Sequence, residues 1–113
     1  MIVGGEIFDS ATRSAGDLAG VFEYDAEVGY FYLYETEAED GRRILDHISV
    51  LSGAPDFDQQ DVSIRWNAKE DKVGLFIRSQ LWAVLDSAKR SKYGGHYRPG
   101  TSPLIPVGVA AEF

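Results

Sequence analysis

The chain has 113 residues, 44% of them hydrophobic and 26% charged, with a formal net charge of −7 and no cysteine. That length fits one domain over residues 1–113, large enough to bury roughly two-thirds of its unfolded surface in a single core. The missing cysteines exclude disulfides, thiolate metal ligands and cysteine nucleophiles, and the acidity argues against nucleic acid as a partner, since phosphates are neutralised by Lys and Arg.

The opening, MIVGGEIFDS, has no basic n-region and no long apolar run, so no signal peptide is expected. No stretch approaches the ~20 apolar residues that cross a bilayer, so the expectation is a cytoplasmic protein without membrane contact. Charge is unevenly spread. Residues 1–61 hold fourteen acids and three bases, a net of −11, and residues 62–113 hold four acids and eight bases, a net of +4. If the halves occupy different faces, the molecule is a dipole that orients a charged partner, whereas interleaved halves would cancel.

In chain order, IVGGEIF (2–8) opens with a short strand weakened by two glycines. SATRSAGDLAG (10–20) is small and polar and reads as loop, with Asp9 or Ser10 placed to cap a short helical turn. VFEYD (21–25) and VGYFYLYET (28–36) alternate with period two and form a predicted hairpin. Asp40-Gly41 marks the next turn, before RRILDHISVL (42–51), in which Ile44, Asp46, Ile48 and Val50 share one face and Leu45, His47, Ser49 and Leu51 the other. GAPDFDQQ (53–60) is a loop, and DVSIRWN (61–67) points Val62, Ile64 and Trp66 inward. KVGLFIR (72–78) and QLWAVLD (80–86) form a tight hairpin around Ser79. Residues 80–92 also fit a helix, because Leu81, Val84, Leu85 and Ala88 recur at helical spacing, but strand followed by loop is preferred. From Tyr93 onward, glycine and proline exclude a long regular element, and VGVAAEF is expected to add a last edge strand. The expected fold is all-β and mainly antiparallel, a sandwich or open barrel of six to eight strands with little helix and an irregular C-terminal segment.

The order VFEYDAEVGYFYLYE, ILDHISV, an Ile-x-Trp strand, KVGLFIRSQLWAVLD and a Gly-Tyr-Arg-Pro-rich end resembles a family of small bacterial proteins of unknown function, over roughly residues 20–103. The resemblance implies a compact bacterial domain and carries over no catalytic residue.

Motifs with chemistry are sparse. The two histidines, His47 and His96, lie forty-nine residues apart, so no metal-binding spacing exists, and neither a metal nor a cofactor is expected. A site made from Asp46, His47, Asp86 and His96 would lose one member, because Asp46 and His47 are neighbours on a strand and point to opposite faces. His47 is more simply a partly buried residue satisfied by a backbone carbonyl. Asp46 shares a face with apolar residues, where burial would raise its pKa, unless it pairs with Arg42 or Arg65. No nucleophile elbow, Ser-x-x-Lys pair or phosphate loop is present, which leaves Asp46, Asp86 and His96 as weak catalytic candidates.

Two features point instead to binding. Tyr30, Tyr32 and Tyr34 form a stripe opposite Phe31 and Leu33, suited either to packing against a second layer or to a protein or subunit interface. The stretch KRSKYGGHYRPG (89–100) is basic, and its His96, Tyr97 and Arg98 suit a partner or an anionic ligand. The plainest reading docks it on the acidic 23–40 region of its own molecule or of a copy.

The preferred expectation is a non-enzymatic acidic interaction domain, such as an immunity or antitoxin-like binder of a basic protein. One alternative is a small-ligand or enzymatic site built from Asp46, Asp86, His96 and Arg98. Another is a homodimer that buries a sheet edge or the tyrosine face.

Overall fold

The computed structural model describes residues 6–38 and 43–113. Eight strands run in chain order: β1 (Glu6–Thr12), β2 (Leu18–Asp25), β3 (Val28–Glu35), β4 (Ile44–Ser52), β5 (Val62–Trp66), β6 (Lys72–Ile77), β7 (Gln80–Asp86) and β8 (Lys92–Gly94). They form two antiparallel four-stranded sheets, β1-β2-β3-β4 and β5-β6-β7-β8. The sheets stack as a sandwich, with β1 and β2 over β5 and β6, and β3 and β4 over β7 and β8. Between them lies an apolar core in which Phe22, Phe31, Leu33, Val50, Val73, Leu75, Ile77 and Leu85 are buried.

The clean period-two runs behave as read. Phe31 and Leu33 point inward from β3, Val62 and Ile64 from β5, and residues 80–86 are strand rather than helix. Turns are set by local polar chemistry. Asp25 Oδ1 accepts the N–H groups of Glu27 and Val28, and Asp86 Oδ1 accepts those of Ala88 and Lys89. Asn67 Oδ1 accepts the N–H groups of Asp71 and Lys72. Arg78 and Ser79 both take left-handed φ values, +53° and +68°, as a two-residue turn matching the twist of β6 and β7 requires.

Several expectations are corrected. Residues 10–12 continue β1 instead of forming a helix cap or loop; Trp66 Nε1 donates to the Ala11 carbonyl, and the Gln59 side chain bonds both backbone groups of Phe8. Residues 107–110 form one helical turn, α1 (Val107–Ala110), not an edge strand. Irregularities in the β3–β4 register change the phase of β4: Ile44 faces Tyr34 and Asp46 faces Leu33, while Leu45 packs against the core and Leu51 is buried. The alternation read over 42–51 thus holds only in its middle. The Asp40-Gly41 turn and the start of the first predicted strand lie outside the described residues.

The described hydrogen bonds and ion pairs dock the KRSKYGGHYRPG stretch on β4 of its own molecule, and none of them is to residues 23–38. Lys92 Nζ lies 3.3 Å from Asp46 Oδ1, and Arg90 donates to the Leu45 carbonyl. Gly94 and Gly95 then turn with φ of +79° and +101° and carry the chain from one sheet to the other. Gly95 N–H still bonds Trp82 of the second sheet, while His96 and Tyr97 donate to the carbonyls of Ser49 and Val50 in the first. The glycine pair is a crossing point with fixed partners.

Candidate functional site

The two outer sheet faces differ. On the second sheet, Phe113 packs edge-on against Phe76 with ring centres 6.0 Å apart, and Glu112 reaches Lys72 at 3.1 Å and Asn67 at 3.0 Å. Gly74 lies against the Phe113 ring, and Val84, its partner on β7, is fully buried. The outer face of the first sheet has no such cover among the described residues. Phe8 is 55% exposed, Ile44 57% and Tyr30 40%.

Strand register assembles that bare face. Tyr30, Tyr32 and Tyr34 of β3 stand opposite Glu23, Val21 and Ala19 of β2, and Tyr32 stands opposite His47 of β4. One shallow concavity of about 360 Å³ is lined by Phe8, Ser10, Val21, Tyr32, Tyr34 and their neighbours. A second, of about 290 Å³, is lined by Glu23, Tyr30, Tyr32, Ile44 and His47, and Tyr32 joins the two. The Tyr32 hydroxyl donates to Glu23 at 3.1 Å. Burial, then the Glu23 carboxylate, push that phenol up to about 12. Tyr30 and His47 meet edge-on at 5.9 Å and 77°. Glu6 and Asp25 pair across β1 and β2 beside Phe8 and Glu23, so one end of the face is ringed by carboxylates.

The three tyrosines named from sequence therefore share one surface. Phe8, Ile44 and Glu23 belong to it as well and were not singled out as site residues, and His47, expected to be partly buried on a backbone carbonyl, is exposed here beside Tyr30. Phe8 sits in a strand whose polar continuation reads as loop, and Ile44 faces outward only because of the irregular β4 register.

The other candidates are dispersed. Asp46 pairs with Lys92. Asp86, 2% exposed, is held by two turn amides and lies 3.7 Å from Lys72. His96 and Arg98 share a concavity of about 200 Å³ with Ser49, Val50, Leu51, Ser52 and Tyr97. Of the four residues considered for an enzymatic or ligand site, the described contacts bring together His96 and Arg98. Tyr97 is committed to packing. Its ring lies edge-on to Trp82 at 4.7 Å and to Phe57 at 5.0 Å, and its hydroxyl donates to Asp56. Burial, then that carboxylate, push the Tyr97 phenol up to about 12, and the same bond holds Asp56 below its usual range. Among the described residues no group of three or more His, Cys, Asp or Glu side chains is placed to hold a metal ion. No helix among them is long and apolar enough to cross a membrane.

These features define a class: a two-sheet antiparallel β-sandwich with the C-terminal segment packed on one sheet and, on the other, a tyrosine-lined face left bare by the described residues. Within that class, the chain belongs to the bacterial family described as "Uncharacterized protein conserved in bacteria (DUF2251)", whose profile matches residues 1–103. No curated protein and no solved structure matches the chain.

Proposed function

We propose that this protein is a non-enzymatic interaction domain of the cytoplasm that presents the outer face of β1–β4 to a basic protein partner. The observation carrying this reading is the contrast between the faces: the chain covers one sheet with its own tail and leaves aromatic and aliphatic side chains exposed on the other. Tyrosine and phenylalanine bury large area with few rotamers to freeze, so such a surface binds protein at low entropic cost. The sheet bearing it comes from the half of the chain with net charge −11, and Glu6, Glu23 and Asp25 stand at its end. Complementary charge speeds encounter and selects a cationic partner over a second copy, since two copies each bring a net −7. An immunity or antitoxin-like role is one biological form of this arrangement.

The test compares the wild-type chain with a Tyr30→Ala/Tyr34→Ala variant in affinity capture from the source bacterium, with sedimentation run in parallel. The expected result is retention of a basic protein by the wild type, loss in the variant, and a monomer at tens of micromolar. Equal retention by both, or a wild-type dimer that the substitutions dissociate, overturns the reading, the latter in favour of self-association.

A further inference from the structure

The notch between β2, β3 and β4 has a more specific chemistry than the face around it. We propose that it is a receptor for an arginine side chain of the partner, with the guanidinium seated against Tyr30 and Tyr32 and paired with Glu23. This rests on the outer face being the docking surface.

Four observations converge. Glu23 opposes Tyr30 in the β2–β3 ladder and is exposed, so its carboxylate stands at the notch; one oxygen accepts the Tyr32 hydroxyl at 3.1 Å, leaving acceptor capacity free. Tyr30 and His47 form an edge-on pair at 5.9 Å, and with Ile44 they give the notch aromatic and aliphatic walls. A carboxylate beside aromatic rings is the environment that selects a cation, through the negative face of the rings and a charge-assisted hydrogen bond. The same row of tyrosines already accepts a guanidinium from its own chain: Arg43 lies over the Tyr34 ring at 5.7 Å and donates to its hydroxyl at 3.3 Å. Tyr30, at the other end of the stripe, carries no described cation, and Glu23 is the charged side chain described beside it.

Arginine is favoured over lysine because a planar guanidinium stacks on a ring while its N–H fork reaches a carboxylate; an ammonium is a compact, strongly hydrated point charge. A metal ion is a poor occupant, since Glu23 and His47 are the only such ligands lining the notch.

The experiment titrates isotopically labelled protein with Nα-acetyl-arginine methylamide, its citrulline analogue (same shape, no charge) and its lysine analogue, following ring resonances of Tyr30, Tyr32 and His47. Arginine is expected to shift all three and citrulline none, with lysine weaker. Glu23→Gln should weaken arginine binding about two- to fivefold, the worth of an exposed ion pair. Tyr30→Ala should abolish the shifts, while Tyr30→Phe, which keeps the ring, should retain them; unchanged backbone spectra away from the notch confirm that the variants fold. No shift, equal shifts with citrulline, stronger binding of lysine, or shifts confined to the Arg98 loop overturn the assignment. If face-dependent capture of a basic protein persists while arginine leaves the notch unmoved, this inference alone fails. Loss of face-dependent capture removes the docking reading itself.

Discussion

Substituting Gly94 by alanine tests whether the crossing between the sheets is as constrained as its geometry implies. Gly94 has φ of +79°, which costs an L-residue about 1–2 kcal/mol. A Cβ there would also run into the Trp82 backbone carbonyl and come within 2.6 Å of Ile105 Cδ1. The carbonyl is backbone and already accepts the Gly95 N–H, so it cannot swing aside without breaking the β7–β8 junction. Overpacking of this kind costs typically 1–3 kcal/mol. Against this, alanine restricts the unfolded chain and returns about 0.4–1 kcal/mol. The net expectation is a loss of about 2–4 kcal/mol.

Urea unfolding followed by near-ultraviolet circular dichroism measures it, because Trp82 and Tyr97 pack edge-on next to the crossing and report its integrity. With a urea dependence of about 1.5 kcal/mol per molar, the midpoint falls by roughly 1.3–2.7 M. Gly100→Ala is the control: its φ is +77° but nothing lies within 4 Å of the added Cβ, so it carries the backbone cost alone, about 1 kcal/mol after the unfolded-state gain. If the two variants unfold at the same midpoint, the close approach to Trp82 has no energetic consequence and the reasoning is wrong.

Two further predictions concern ion pairs. Lys72 lies 3.1 Å from Glu112, 3.7 Å from Asp71 and 3.7 Å from the buried Asp86, so Lys72→Met leaves Asp86 without its cation and should cost about 3 kcal/mol. Lys72→Met/Asp86→Asn should recover much of that loss in denaturant unfolding, and two additive losses would contradict the coupling. Asp17 is held down to about 2 from an ordinary 3.8, chiefly by its hydrogen bond to Arg13. Since the folded value lies below the unfolded one, the stabilisation is complete above the unfolded value and disappears as pH falls through about 2. Asp17→Asn should therefore show a shallower loss of stability than wild type across that acid range, and parallel melting curves would count against the pair.

The fold was legible where period two is uninterrupted and one face is apolar. Tyr30-Phe31-Tyr32-Leu33 could only be a half-buried strand, and the tyrosine stripe followed from the same alternation. It was not legible where the decisive information is non-local. Ser10-Ala11-Thr12 is strand because β2 pairs with it and because Trp66 donates to the Ala11 carbonyl, while Gln59 holds the backbone of Phe8 just upstream, none of which is encoded in those residues. The register irregularities in β4 leave no local signature, yet they turn Ile44 toward the bare face and Leu45 toward the core. VGVAAEF is too short to declare itself; it is a helical turn held by Phe113 on Phe76 and Glu112 on Lys72. Asp86 was visible as a polar residue in an apolar strand, but whether it titrates in a site or caps a turn depends on two amides further along the chain.

Connectivity decides what becomes of the charge asymmetry. Each sheet is a meander of consecutive strands, so β1–β4 use residues 6–52 and β5–β8 residues 62–94, and the acidic and basic halves stay in separate layers. The basic KRSKYGGHYRPG segment then spends part of its charge at β4, where Lys92 meets Asp46 and Arg90 meets the Leu45 carbonyl. Those contacts are made from the side of the second sheet. Glu6, Glu23 and Asp25 lie at the far end of the opposite face, on β1 and β2, and no described ion pair reaches them. The positive segment thus ties the two layers together without neutralising the bare one. Carboxylates with no described cation, beside exposed aromatic rings, are costly to leave facing a second acidic copy and favourable to leave facing a cation. In the docking reading proposed above, the acidic sign of the first half counts because the topology keeps it on the surface that the described residues leave uncovered.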